Sequence, residues 1–202
     1  MKLYYFPIAP NPTKVRVYVA EKGIELPTER VSLIEGEQRS ESFLSKNAMG
    51  KLPVLELDDG TCVNESLPII EYLEELYPDP PLIGTDPETR LRVRALERHC
   101  DISILIAVAR FIHATNSPLG LPPNPGVAKH SEDMLEQGLR VLDAKIADRE
   151  FVAGDRVSIA DCTLWAAYNF ATFRELDFDS RYPNVRRWRE AFAKRPSVDL
   201  PF

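Results

Sequence analysis

The stretch KLYYFPIAPNPTKVRVYVAEKG, Lys2 to Gly23, decides how the amino-terminal part of the chain folds. Lys2 to Phe6 is short and aromatic, the composition of a strand. It runs straight into Pro7-Ile8-Ala9-Pro10-Asn11-Pro12, which must turn irregularly, because proline has no amide donor and pushes its predecessor out of the helical region. Val15, Tyr18 and Val19 then share a face at i, i+3, i+4 spacing, so a helix follows and ends at Gly23. Asn is a preferred cap and Pro a preferred first residue, which places Asn11 at the cap of a helix from Pro12 to Lys22. A helix start just past a strand tip offers unpaired amides and a positive dipole end, suited to holding an anion or lowering the pKa of a thiol.

Moving outward, Thr28 to Leu33 reads as a second strand and Ser42 to Lys46 as a short helical turn. Val54 to Leu57 and Thr61 to Val63 flank Asp58-Asp59-Gly60, a strong hairpin signal, and Ile69, Ile70, Leu73 and Leu76 mark the next helix. Strands joined through a helix run parallel and hairpin strands antiparallel, so the small sheet must be mixed. Tyr77 to Pro87 holds Pro78, Pro80, Pro81, Gly84 and Pro87, and beyond it the strand signals vanish. Leu91 to Ala114, Val127 to Asp148, Ile159 to Phe173 and Val185 to Lys194 all read as helices. Ser158-Ile159-Ala160-Asp161 has the form of a capping box, with Val157 and Cys162 placed as a hydrophobic staple. The expected division is a mixed domain over residues 1–80, a linker over 81–87 and an all-helical domain over 88–202.

With 202 residues, 44% of them hydrophobic and 28% charged, the chain has the balance of one or two globular domains. Prolines number 17 against 9 glycines, and no glycines fall in GxGxxG or GxxxxGK spacing, which excludes a glycine-built phosphate cradle. Cys62, Cys100 and Cys162 lie far apart and are odd in number, which argues against a disulfide framework, a zinc site or a dithiol motif. A reducing, cytoplasmic setting and no metal are expected. There is no signal-peptide core and no run of the roughly 18 apolar residues of a membrane span; Ile102 to Ile112 is too short and carries Arg110. The net charge is −6, and residues 1–80 hold 8 basic and 14 acidic side chains while residues 81–202 hold 17 of each. Neither nucleic acid nor membrane is expected as a partner, and the basic cluster Arg186, Arg187, Arg189, Lys194 and Arg195 reads as a solvated helix face.

Two further positions could carry chemistry. Pro53, in Lys51-Leu52-Pro53-Val54, opens a strand, where a cis bond would leave the Leu52 N–H and C=O open to an extended peptide. In Asn64-Glu65-Ser66-Leu67-Pro68, Ser66 reads as a helix cap that offers amides and a hydroxyl to a carboxylate, while Glu65 offers a charge to an ammonium. Together these fit the end of an α-amino acid. Each feature alone is equally an ordinary cap or strand start.

In this order, the helix start at Asn11, the strand-initial Pro53 and the second helix start at Glu65-Ser66 resemble the thioredoxin-like glutathione-binding domain of the cytosolic glutathione S-transferases, in particular the bacterial Nu-like and theta-like group. The resemblance runs on through the proline linker into the helical domain and covers nearly the whole chain. It implies an α+β thioredoxin-like N-terminal domain with a mixed four-stranded sheet, followed by an all-α C-terminal domain. It also implies glutathione as co-substrate, a small hydrophobic electrophile, a homodimer and a part in detoxification. Glu65 and Ser66 would then bind the γ-glutamyl end, and Leu52 would pair its backbone with the cysteinyl unit beside cis Pro53. Gln38 and Lys51 would lie toward the glycyl carboxylate.

Free thiols titrate at about 8.5, so transfer needs a group that favours the thiolate. Members of that group carry Ser or Thr two residues before the Asn; here Ala9 stands there and the hydroxyl is missing. Asn11 is therefore the first catalytic candidate, through its side-chain amide and the helix start behind it, with Tyr5 and Thr13 as lesser candidates. No cysteine precedes Cys62, which disfavours cysteine-type classes, and the Ser-Ser-Cys type of motif of maleylacetoacetate isomerase has no counterpart from Phe6 to Thr13. Two alternatives stand beside the transferase: a glutathione-dependent disulfide-bond reductase, and a non-catalytic binding protein of the same fold, which Ala9 favours. The electrophile's pocket is expected between the Pro7-to-Pro10 loop and the helix from Leu91 to Ala114, with Arg110, Phe111 and His113 as candidate liners.

Overall fold

The computed structural model describes residues 1–200. Strand β1 (Lys2–Tyr5) pairs in parallel with β2 (Thr28–Arg30) and antiparallel with β3 (Val54–Glu56), and β4 (Cys62–Asn64) completes the mixed sheet in the order β2-β1-β3-β4. The parallel pair follows from the helix between its strands, α1 (Pro10–Lys22), and the antiparallel pair from the hairpin turn, where Gly60 takes φ +86°. Side chains alternate across the sheet. Leu3 and Leu55 bury against α1 and α3 (Ser66–Leu76), while Tyr4 and Val54 face the opposite way and meet Phe43 of α2 (Glu41–Leu44).

After the linker come α4 (Pro87–His99), a π-helical segment (Cys100–Leu105), α5 (Ile106–Thr115), α6 (Pro125–Lys145), α7 (Ile159–Phe173) and α8 (Pro183–Phe192). The capping box at Ser158 and Asp161 is present. Asp161 is fully buried, a position that pushes its carboxyl up, yet its oxygens accept from Ser158 N and Oγ, Val152 N and Trp188 Nε1 at 2.8–2.9 Å. That one carboxylate ties the start of α7 to α8. Gly138 lets α6 lie on the π-helical segment, since a Cβ there would stand 2.6 Å from the Ser103 carbonyl.

Several boundaries differ from the sequence reading. Helix α1 begins at Pro10 with Ala9 as its cap, so Asn11 is inside the first turn and caps nothing. Pro10 and Pro12 both fit that turn because its amides have no intrahelical acceptor in any case. Helix α3 begins at Ser66 itself, with Glu65 in the cap position, and α4 takes Pro87 from the linker, capped by Asp86. Besides the expected cis bond at Leu52-Pro53, Asp79-Pro80 is cis. The basic cluster is no free face: Arg187 donates to the carbonyls of Ile146, Ala147 and Arg149, Arg189 pairs with Asp179 at 2.6 Å, and Arg195 grips Glu21 at 2.6 and 2.8 Å.

Helix α1 is held from every side. Lys14 and Glu97 of α4 are both fully buried and meet at 2.5 Å, with Thr163 of α7 donating to the same Glu97 oxygen at 3.2 Å. Glu74 accepts from Tyr18, Leu82 and Ile83 and pairs with Lys22 at 2.9 Å, which pins the linker to α1. Removing one partner of a buried pair strands the other charge. Lys14→Met is therefore expected to lower the unfolding free energy by about 3–5 kcal/mol in urea titration, and adding Glu97→Leu to recover most of that loss. A Lys14→Met loss under about 1 kcal/mol would show that the pair does not hold the halves together.

Candidate active site

The structure brings the two helix starts together. The Ser66 hydroxyl, only 6% exposed, donates to Oδ1 of Asn11 at 3.2 Å, across the gap between α3 and α1. With its oxygen engaged, the Asn11 carboxamide keeps its Nδ2 hydrogens for another acceptor. They matter because the backbone has little to offer here. Pro10 and Pro12 have no amide and the Thr13 amide bonds to the Ala9 carbonyl at 3.0 Å, so within this turn only Asn11 has an N–H whose position leaves it without an intrahelical acceptor. Thr13 is 2% exposed and its hydroxyl donates to the Pro7 and Ala9 carbonyls, which fixes the proline turn and leaves no proton for a thiolate. Tyr5 lies under the Arg16 guanidinium, 4.4 Å from the ring centre, and takes no part in the Asn11–Ser66 contact.

Glu65 is exposed and sits at φ 69°, ψ 132°, a conformation that side chains other than glycine rarely adopt. Leu52 precedes the cis proline, and its amide and carbonyl enter no hydrogen bond among the described residues. Asn47, 7% exposed, shapes that loop: its Nδ2 donates to the Lys51 carbonyl at 2.8 Å and its Oδ1 accepts from the Met49 amide at 3.0 Å. Asn47 escaped the sequence reading, although an Asx turn is within an asparagine's ordinary repertoire. Gly50, at φ +60°, lets the Gln38 carbonyl come within 2.8 Å of where a Cβ would be, so the Gln38 and Lys51 loops are neighbours. The buried Oε1 of Gln38 and Oδ1 of Asn64, the residue before Glu65, have no hydrogen-bond partner among the described residues.

Ala9 and Pro10 turn their other side to an apolar cleft of about 90 Å³, lined also by Phe6, Ile8, Leu33, Ile34, Pro118, Leu119, Phe170, Phe173 and His113. His113 is the one titratable side chain on these walls. Its Nδ1 lies 2.9 Å from the Ser117 hydroxyl, and burial lowers its pKa from the ordinary histidine value. Of the other candidate liners, Arg110 is exposed and Phe111 faces a separate groove beside Tyr182. Larger clefts, of about 480 Å³ beside Glu71 and Arg94 and about 280 Å³ beside Arg92 and Arg156, contain none of the candidate residues. No helix among the described residues is long and apolar enough to cross a membrane.

Residues 3–81 match the family pattern described as the N-terminal domain of glutathione S-transferase, and residues 107–191 match the C-terminal one. The chain belongs to the glutathione S-transferase family. It is 32% identical to glutathione S-transferase 2 of Saccharomyces cerevisiae over 98% of this chain and 88% of that one. It is 31% identical to maleylacetoacetate isomerase of Pseudomonas aeruginosa over 98% and 93%. Its fold matches, with a TM-score of 0.85 and 29% identity, a glutathione S-transferase of Methylobacillus flagellatus solved with glutathione bound, covering 98% of this chain and 96% of that one. The protein is thus a glutathione transferase by family and by fold. The strain at Glu65 is open to measurement: Glu65→Gly is expected to raise the unfolding free energy by about 1 kcal/mol in urea, and a loss of stability instead would show that the Glu65 side chain supports the fold.

Proposed function

We propose that this glutathione transferase binds the tripeptide along Glu65, Ser66, Leu52, Pro53, Gln38 and Lys51, and delivers its sulfur, as thiolate, to a small hydrophobic electrophile in the cleft beside Ala9. The contact that carries this reading is Ser66 Oγ to Asn11 Oδ1, because it couples the γ-glutamyl end of the site to the group that would meet the sulfur. The Glu65 carboxylate takes the ammonium, and the first turn of α3 takes the carboxylate. The open backbone of Leu52 pairs with the extended cysteinyl unit. Gln38 and Lys51 answer the glycyl end.

The sulfur then lies where a serine hydroxyl would have served and Ala9 offers none. Asn11 supplies hydrogen-bond donors that favour the anion. The thiol proton needs an acceptor, and burial lowers the pKa of His113 from the ordinary histidine value, which favours the neutral imidazole that could take it. Its Nε2 is the free ring nitrogen, Nδ1 being engaged with Ser117. Asn11 therefore stabilises the thiolate and His113 receives the proton. The chain's own cysteines stay out of the chemistry: burial pushes the thiols of Cys100 and Cys162 well up, and Cys62 stands on β4 away from the cleft. Glutathione-dependent disulfide reduction is the second reading, favoured by this absence of site thiols, since both sulfurs would come from glutathione. Turnover of an aryl halide against that of a small disulfide separates the two.

Asn11→Ala is expected to abolish the ultraviolet thiolate absorbance of bound glutathione at neutral pH and to lower kcat/KM by about 10²-fold. His113→Gln should lower it by about 10²-fold or more. His113 acts as base only when unprotonated, so the wild-type rate is lost as pH falls through a pKa below the usual histidine value, and the variant lacks that limb. Full activity in both variants would move the role to backbone groups. A homodimer also belongs to this proposal, because Leu91 and Met49 are large, apolar and 72% and 64% exposed. Sedimentation at micromolar concentration should find a dimer, and Leu91→Glu should shift it to monomer.

A further inference from the structure

Away from the transferase site, we infer that the cleft of about 280 Å³ between the linker, α4 and the loop before α7 binds a phosphomonoester carried on a compact, partly apolar body, the chemistry of a nucleoside monophosphate. Two guanidinium groups decide the charge. Arg92 of α4 and Arg156 of the loop both line this cleft, and neither enters a hydrogen bond or an ion pair among the described residues. Neighbouring arginines are already engaged: Arg90 donates to the Gly84 carbonyl at 3.0 Å, and Arg94 pairs with Glu71 at 2.9 Å. One unpaired arginine on a surface is ordinary, but two from separate elements on one concavity offer an anion two planar donor forks. A phosphomonoester brings three acceptor oxygens to them, where a carboxylate brings two. Asp155 is the one carboxylate on the walls, exposed and likewise unpaired among the described residues. It disfavours a bare anion and accepts from a hydroxyl, so it suits a ligand that carries a hydroxyl as well as its phosphate.

The floor decides the body of the ligand. Leu82, Val93 and Val157 are buried and give the cleft an apolar base, on which a ring would shed its water. A lone oxyanion would leave that base wet. The walls stand ready without a ligand. The Ile159 amide donates to the Leu82 carbonyl at 3.0 Å, which joins the start of α7 to the linker. Asp161 accepts from the amides of Val152 and Ser158 at 2.9 Å and so fixes both ends of the loop that carries Asp155 and Arg156. Gly84, at φ +105°, lets the linker close on α4, since a Cβ there would stand 2.7 Å from the Thr89 hydroxyl. Thr89 in turn is locked to Asp86 in a capping box, which closes the start of α4 and leaves the anion to the arginines. A site with its walls already fixed loses little freedom on binding.

Adenosine monophosphate, adenosine and inorganic phosphate, titrated separately into the whole protein by calorimetry, test this. The monophosphate is expected to bind with a Kd below about 1 mM, and adenosine and phosphate each at least about tenfold more weakly. Arg92→Gln and Arg156→Gln should each weaken the monophosphate about five- to tenfold, and Arg156→Lys should keep only part of the affinity, because an ammonium cannot bond in bidentate fashion. Thermal unfolding of these variants should match the wild type, since neither arginine holds a partner in the fold. Saturating glutathione should leave the Kd of the monophosphate unchanged. Absence of saturable binding up to about ten times the stated Kd, or undiminished binding in the Arg92→Gln, Arg156→Gln double variant, would overturn the inference. So would phosphate that binds as tightly as the monophosphate, which would leave an adventitious ion only. Displacement of the monophosphate by glutathione would put it in the transferase site and overturn the inference as well, while failure of glutathione itself to bind would count against the transferase reading alone.

Discussion

A lysine and a glutamate with no access to solvent hold this molecule in its working shape. Lys14 belongs to the helix of the sheet domain and Glu97 to the first long helix beyond the linker. Neither charge would be tolerated in its place without the other, because burying a lone ion costs far more than the pair returns. The coupling is geometric as well as energetic. Lys14 lies one turn after Asn11 on α1, so the contact that joins the halves also sets the orientation of the helix end that carries Asn11. Further along the same helix, Glu21 pairs with the partly exposed Arg195 near the end of the chain, and Lys22 pairs with Glu74 of α3.

The site follows a consistent logic of backbone ends. Glutathione is a peptide with charged termini, and the residues proposed to hold it are helix starts, a strand-initial proline and a loop held by a glycine. Proline serves two opposite ends in this arrangement. At Pro53 it opens backbone groups to the ligand, whereas at Pro10 and Pro12 it removes them, so the start of α1 has less to give an anion than most helix starts. Side chains must then make up the difference, and in the proposed site an amide at Asn11 and an imidazole at His113 would stand in for a hydroxyl at position 9.

Much of this was legible in the residues alone, for reasons that can be located. The order of the strands came from where helices and a hairpin turn separate them, and the start of α7 from the Ser158 and Asp161 pair, both matters of short-range spacing. The cis bond before Pro53 needed the combined pattern. The failures share a different cause. Asn11 and Ser66 both look like caps in sequence, yet both lie inside their helices, because the turn is shaped by prolines in one case and by a strained Glu65 in the other. Thr13 is chemically able to serve a thiolate, and only the packed turn shows its proton already committed. Arg187 and Arg195 look like a charged surface, but the backbone carbonyls that Arg187 reaches and the Glu21 that Arg195 grips lie 38 or more residues away in sequence. Phe170 and Phe173 reach the cleft through the way α7 crosses α5, which no local spacing encodes.

The π-helical segment at Cys100–Leu105 acts as a phase adjuster in the long run of helix from Pro87 to Thr115. An extra residue inserted into α-helical winding turns everything beyond it by about 100° relative to everything before it. Glu97 stands upstream of this step and faces α1 and α7; His113 stands downstream and faces the cleft. In a regular helix of the same length the two could not both point where they do. The adjuster therefore keeps two demands on a single rod independent: one part of its surface is free to hold the molecule together, while the other is free to line the apolar cleft.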